Sequence, residues 1–248
     1  MAREPTAAPT LEGAARVAGW GMVFWAGTQI AATVFSRNAT ATVAVQAALA
    51  EWGAGWMAIS WSDPLAPIPG WPEIRRRTGT GLALGIGAAG LGVGVALATG
   101  AAVVAERSFG GGLLAIGLLV ALLSAVRDEL LLRGVALKVT RGLVPWWASL
   151  LACGACAAAA RYGLDGTLGL GLAIEGLRGV ALGALWVRDR GAWMAIAANT
   201  GWLWMVSSVA HGGLVDVRFV GQSESSVPLA LVATSAAIAA VLWARRRL

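Results

Sequence analysis

The chain has 248 residues, of which 58% are hydrophobic and only 13% charged, with a mean hydropathy of +0.71. That charged fraction is about half of what a soluble domain carries, about 25%, so the composition argues against a soluble globular protein and for one solvated by lipid. The net charge of +6 does not point to nucleic acid, because the basic residues stand in short clusters between apolar runs, where the positive-inside rule puts them.

A helix needs about 20 apolar residues to cross the hydrocarbon core. In chain order the apolar runs predict eight such segments, at 14–35, 41–61, 79–104, 112–137, 143–162, 167–187, 192–210 and 227–244. The first is full length and lacks the marks of a cleavable signal peptide. The second is interrupted by Glu51, which either partners a core arginine or marks a tilted surface helix. Between the second and third lies Ser62–Arg77, rich in proline and ending in Arg75-Arg76-Arg77, which reads as a loop. Gly100 to Gly112 is a softer boundary, and His211–Ser226 reads as a long polar loop. Thirteen tryptophans suit interfacial belts and packing faces. The expected fold is all-α: one polytopic membrane bundle over residues 1–248, with both termini cytoplasmic.

Charge tests that topology. With a cytoplasmic N-terminus, one side collects Arg3, Arg16, Arg75–Arg77, Lys138, Arg141, Arg188, Arg190 and Arg245–Arg247, and the other only Arg37, Arg107, Arg161 and Arg218. The bias is what alternating spans produce. Gly81/Gly85, Gly90/Gly94 and Gly179/Gly183 are small-xxx-small pairs that let helices approach closely.

The segment Leu122–Val139 places Arg127, Asp128, Glu129 and Arg133 within seven residues of an otherwise apolar helix. Each charge at mid-bilayer costs about 2.5–3.5 kcal/mol on insertion scales, so such groups face a bundle interior, pair with each other, or do chemistry. Glu129 and Arg133 share a face at i,i+4 in the favourable order for an ion pair, whereas Asp128 lies about 100° round the helix. Spacing alone leaves two readings of equal weight: a packing network and a reaction centre.

Here the chain resembles the CPBP family of glutamate-type intramembrane proteases, which includes the CAAX prenyl endopeptidases. Asp128-Glu129-Leu130-Leu131-Leu132-Arg133 is similar to its Glu-Glu-x-x-x-Arg signature, and Leu182–Ile196 to a later block with a Gly-rich helix, a basic turn and a Trp-containing helix start. The family-like core covers about 110–205. The resemblance implies an endopeptidase that hydrolyses a membrane-associated protein or peptide tail by carboxylate-activated water. A bacterial inner (plasma) membrane is the expected location, with lipid as surroundings and no nucleic-acid partner; with no histidine in the apolar segments, no metal or cofactor is expected. Carried over by position, the resemblance makes Asp128, Glu129, Arg133, Arg161 and Asn199 the candidate catalytic residues. Asp128 stands at the general-base position, while Arg161 and Asn199 occupy the two histidine positions and Leu203 the asparagine position. The one histidine of the chain, His211, falls in a loop outside these blocks.

Depth is compatible with convergence. At 1.5 Å per residue, Asp128 lies about 16 Å, Arg161 about 22 Å and Asn199 about 10 Å from the inner ends of their helices, and Arg161 can also snorkel to the far interface. General-base hydrolysis needs a carboxylate beside water and a donor for the developing oxyanion. Asp128 or Glu129 can be the first, and Arg161 and Asn199 the second. The missing imidazoles leave a non-catalytic binding or maturation partner as the alternative, and intramembrane carboxylates also serve small transporters. Cys153 and Cys156 have CxxC spacing without a redox-fold context and read as packing residues. Glu175 and Arg178 pair at i,i+3 or line a cavity. Asn38-Ala39-Thr40 matches a glycosylation sequon only in form.

Overall fold

A computed structural model describes residues 10–62, 69–107, 110–165, 169–210, 214–219 and 227–246. His211 lies outside them, so its expected loop position is not addressed. The protein is all-α, with one two-stranded ribbon added.

Among the described residues eight helical rods follow in chain order. The first is α1 (Leu11–Val34), started by Thr10, whose Oγ1 accepts from the Gly13 amide at 3.1 Å. The second is α2 (Ala39–Trp56), started by Asn38, whose Oδ1 accepts from the Ala41 amide at 3.0 Å. The sequon asparagine thus has a plain job, satisfying an orphan donor at a helix start. The third, α3 (Trp71–Ala98), opens with Pro72 and Glu73, both favoured in a first turn. The fourth rod winds continuously through α4 (Gly111–Asp128), a π-helical segment (Glu129–Gly134) and α5 (Val135–Thr140). Then come α6 (Trp146–Asp165), α7 (Leu170–Asp189), α8 (Trp193–Trp204) with its π-helical extension Met205–Val209, and α9 (Val227–Arg245).

The sequence-based boundaries need three corrections. α3 begins at Trp71, so Arg75–Arg77 stand on its first turns rather than in a loop. It stops at Ala98; past Gly100, whose φ of +74° suits glycine, the chain becomes strand β1 (Ala102–Arg107). β1 pairs antiparallel with β2 (Val215–Phe219), which lies inside the segment read as a polar loop. By length and composition, α3 and α7 are apolar enough to cross a membrane; Ala230–Arg245 is a shorter apolar helix.

Two cross-links fix which connections share an end of the bundle. The β1–β2 ribbon brings the α3–α4 and α8–α9 connections together. At the opposite end the Ala192 amide donates to the Trp61 carbonyl at 2.8 Å, and Lys138 Nζ to the Ala58 carbonyl at 3.3 Å. These join the α2–α3, α5–α6 and α7–α8 connections, and the end they form carries Arg75–Arg77, Lys138, Arg141, Arg188 and Arg190.

Glycines decide which rods touch. A Cβ on Gly81 or Gly85 would collide with the Met194 or Ala198 carbonyl, so α3 and α8 meet backbone to backbone. Gly179 and Gly183 give α7 the same approach to α6, where their Cβ positions lie 2.7 Å from the Cys153 carbonyl and 2.9 Å from its Sγ. Gly94 faces open space and Gly90 meets only the Met205 methyl at 3.8 Å, so the third small-xxx-small pair packs against no helix backbone. The π-helical segment Glu129–Gly134 sits at the centre, in contact with α1, α2, α6 and α7.

Candidate functional site

The central feature is a carboxylate with no exposed surface. Glu129, Arg133 and Asn199 are all 0% exposed, and they meet although 70 positions separate the first from the last. Glu129 Oε1 accepts from Asn199 Nδ2 at 3.0 Å and lies 3.4 Å from Arg133 Nη1. Its Oε2 accepts from the indole Nε1 of Trp186 at 2.9 Å. One helix supplies acid and base, α8 supplies the amide and α7 the indole.

Local winding matters here. Both Glu129 and Arg133 lie in the π-helical segment, a rare geometry that concentrates at functional sites. The wider turn pushes successive side chains into the bundle: within it Glu129, Leu130, Leu131, Arg133 and Gly134 are all buried. Gly134 keeps the indole in place, since a Cβ there would stand 3.4 Å from Trp186 Cη2 and 2.9 Å from Ile59 Cγ2.

The cluster is not fully satisfied. Among the described residues, Nε, Nη1 and Nη2 of Arg133 and Oδ1 of Asn199 make no hydrogen bond. A buried guanidinium ordinarily carries up to five donors into a network, and leaving such groups unmade is costly. Three donor nitrogens, which carry five N–H groups, and one acceptor oxygen therefore stand ready around Glu129. Glu129 Oε2 has a single hydrogen bond of about two that a carboxylate oxygen can accept.

Asp128 belongs to a different environment. Its Oδ1 accepts from Arg127 Nε at 2.8 Å and Nη2 at 2.6 Å. Arg127 Nη1 donates to Gln46 Oε1 at 3.0 Å, and Gln46 Nε2 donates to the Thr28 carbonyl at 2.9 Å. The guanidinium also lies 5.2 Å from the Trp25 ring centroid. This chain of contacts ties α4 to α1 and α2. Arg161 is not brought to the cluster. It is exposed and stands two turns beyond Cys153, the α6 residue whose Sγ lies 4.0 Å from the Arg133 carbonyl. Eight helical residues correspond to about 12 Å of rise. Leu203, at the family's asparagine position, is a partly buried packing residue of the core.

Two cavities flank the cluster. An apolar one of about 300 Å³ lies between α3, α7, α8 and α9; Asn199 and Arg178 are its polar lining residues. Arg178 Nη2 pairs with Glu175 Oε2 at 2.7 Å, and of the two only Arg178 lines the cavity. The second, of about 440 Å³, opens at the basic end, and Trp186 and Gly134 form its inner wall. Glu51 turns out to be exposed, its Oε2 accepting from Trp61 Nε1 at 2.8 Å, so its partner is an indole and not a core arginine.

Residue type alone did not single out Trp186. It stands inside the Leu182–Ile196 block, but an indole there reads equally as belt or packing. The π winding has no sequence signal that periodicity can detect. Cys153 and Cys156 are free thiols, and no metal-ligand cluster occurs among the described residues. No protein-family model, curated protein or solved structure matches the chain.

Proposed function

We propose that the chain is a polytopic integral membrane protein and an intramembrane endopeptidase of the CPBP type, with Glu129 rather than Asp128 as its general base. The carrying observation is the meeting of Glu129, Arg133 and Asn199 at one fully buried point, three of the five positions to which the resemblance had carried a catalytic role.

The membrane reading draws on the surface. Met22, Ile30, Leu91, Leu113, Leu231 and Ile238 are each more than half exposed along the helix flanks, far more apolar surface than a soluble monomer tolerates. Trp52, Trp56, Trp71 and Trp147 are exposed at the basic end, where an aromatic belt and positive charge mark a cytoplasmic interface.

In the proposed reaction a water at the open position of Glu129 Oε2 attacks the scissile carbonyl carbon, and Glu129 takes its proton. The carbonyl oxygen, gaining charge, receives hydrogen bonds from the unused Arg133 donors, and Asn199 Oδ1 accepts the peptide N–H. Collapse of the tetrahedral intermediate breaks the C–N bond, and Glu129 returns the proton to the leaving amine. The apolar cavity beside Asn199 receives the apolar part of the tail. Loss of a general base costs typically about 10²–10⁴-fold. Purified protein in detergent is expected to cleave membrane-anchored tail peptides, Glu129→Gln to fall by at least about a hundredfold, and Asp128→Asn to retain most activity. Equal cleavage by wild type and Glu129→Gln defeats the proposal.

One observation favours a second reading, a binding or maturation partner without hydrolysis: both Glu129 oxygens already accept from protein donors, and no histidine lies in the helical blocks. Complementation of a deletion strain separates the two, since a binding partner still functions with Glu129→Gln.

A further inference from the structure

The cavity of about 300 Å³ beside the buried cluster is shaped for one kind of side chain. Its room comes from short residues on three helices: Ala88 of α3, Ala181 of α7, and Ala236 and Ala240 one turn apart on α9. Two indoles wall it, Trp202, which follows Asn199 by one turn on α8, and Trp243 on α9. The Arg188 guanidinium stands 4.3 Å from the Trp243 ring centroid, which braces that wall. Among the described lining residues the only charge is Arg178, which already pairs with Glu175 at 2.7 Å. A charged guest would give up its hydration for little return, whereas an apolar one gains by burial. Leu84 and Ala239 also line the cavity and are exposed, so it opens on the flank between α3 and α9.

A second observation points to the same space. Asn199 lines the cavity and is 0% exposed, and its Oδ1 makes no hydrogen bond. Its Nδ2 is committed to Glu129 Oε1 at 3.0 Å. A buried acceptor without a donor is costly, and the N–H of a peptide lying against the cluster supplies one. A single side chain thus joins the carboxylate to the cavity. The residue that brings the N–H has its own side chain only a Cα away, within reach of the apolar space.

Size and wall chemistry then select the guest. An apolar cavity of about 150 Å³ holds one benzene, and this one has about twice that room. A phenylalanine or tryptophan side chain fits it, and an alanine leaves most of it empty. Indole walls favour an aromatic guest through offset and edge-to-face contacts.

We infer that this cavity receives an aromatic side chain of the bound tail, on the residue whose N–H meets Asn199 Oδ1. In hydrolysis that residue supplies the leaving amine. The inference rests on the reading that a peptide lies against Glu129, Arg133 and Asn199, and not on its being cut.

The test uses the full chain in mild detergent, with Ala236→Cys on a Cys153→Ala, Cys156→Ala background, labelled by N-ethylmaleimide. Two synthetic tail peptides, identical except for phenylalanine or alanine at one position, are added in excess. One missing methylene in an apolar pocket is worth about 10–200-fold, so the phenylalanine peptide is expected to protect at concentrations at least about tenfold lower than the alanine peptide. Ile238→Cys, on the exposed face of α9, should label equally with either peptide. Ala240→Leu, or Ala181→Leu on another helix, added to Ala236→Cys should remove the phenylalanine advantage by filling the cavity. Where the wild-type chain cleaves a mixed-sequence peptide pool, the new N-terminal residues read by mass spectrometry should be enriched in phenylalanine and tryptophan. Absence of cleavage defeats the hydrolytic reading alone, because the labelling still decides this inference. Equal protection by the two peptides, an advantage that survives both filling variants, new N-termini without aromatic enrichment, or phosphatidylcholine alone protecting as well as the phenylalanine peptide overturns it.

Discussion

At the residue scale the decisive contrast is between two acids. Glu51 is exposed and accepts one indole hydrogen bond, so Glu51→Gln is expected to change stability by less than about 0.5 kcal/mol. Glu129 has no exposed surface and is the near counter-charge of an equally buried Arg133. Removing one partner of such a pair strands the other, at a cost of about 3–5 kcal/mol. Thermal unfolding in detergent should therefore show large losses for Glu129→Leu and for Arg133→Leu taken singly. Leucine at both positions should recover much of the loss, because no isolated charge remains and only Trp186 and Asn199 lose an acceptor. Losses that simply add would mean that the two side chains do not act as a pair. The i,i+4 spacing made this pair legible in the sequence. It could not show that Asp128, one residue earlier, faces Arg127 and Gln46 on another side, because a 100° step separates neighbours on a helix without saying what packs against each face. Nor could it show that Arg161 is exposed, since its depth along α6 suited convergence just as well.

At the element scale, glycine spacing located helix contacts only in part. Gly85 faces the Ala198 carbonyl, whereas Gly94, on the same helix, faces open space. The two look alike in sequence because a small-xxx-small pair describes one smooth face and not whether a neighbour lies on it. Gly85→Leu should therefore separate α3 from α8 and abolish folding or cut stability by several kcal/mol, well above the usual range of about 0.5–3 kcal/mol for single changes. Gly94→Leu should be tolerated, within about 1 kcal/mol and with a gain in helix propensity. Comparable melting temperatures for the two variants would contradict the packing described. The strands were missed for a related reason: Ala102–Arg107 is a short, mostly apolar run after Gly100, and periodicity cannot tell such a run from the tail of a helix. Its partner β2 lies more than 100 residues away, so the pairing that stabilises it is invisible locally.

At the scale of the whole molecule, eight rods and two cross-linked ends produce a charge separation that the membrane reading turns into a direction. The end joined by Ala192–Trp61 and Lys138–Ala58 carries most of the basic residues, and the end joined by β1–β2 carries few. If the rods cross a bilayer, the basic end is cytoplasmic, and positions at the two ends differ in access to a membrane-impermeant thiol reagent. The native thiols are replaceable: Cys153 is buried against glycine and Cys156 lies on the same Ala-rich helix, so alanine at both removes background labelling. On that background Arg37→Cys, Arg161→Cys and Arg218→Cys, all exposed, should label in intact cells. Arg76→Cys and Arg245→Cys, exposed at the basic end, should label only after permeabilisation. The same pattern places the 440 Å³ cavity at the inner leaflet and Glu129 inward of it, behind Trp186. Labelling of both groups from one side would mean that the rods do not alternate across a membrane. The exposed apolar flanks would then have to be covered by another protein surface, and a membrane-anchored tail would not reach Glu129 in the way proposed.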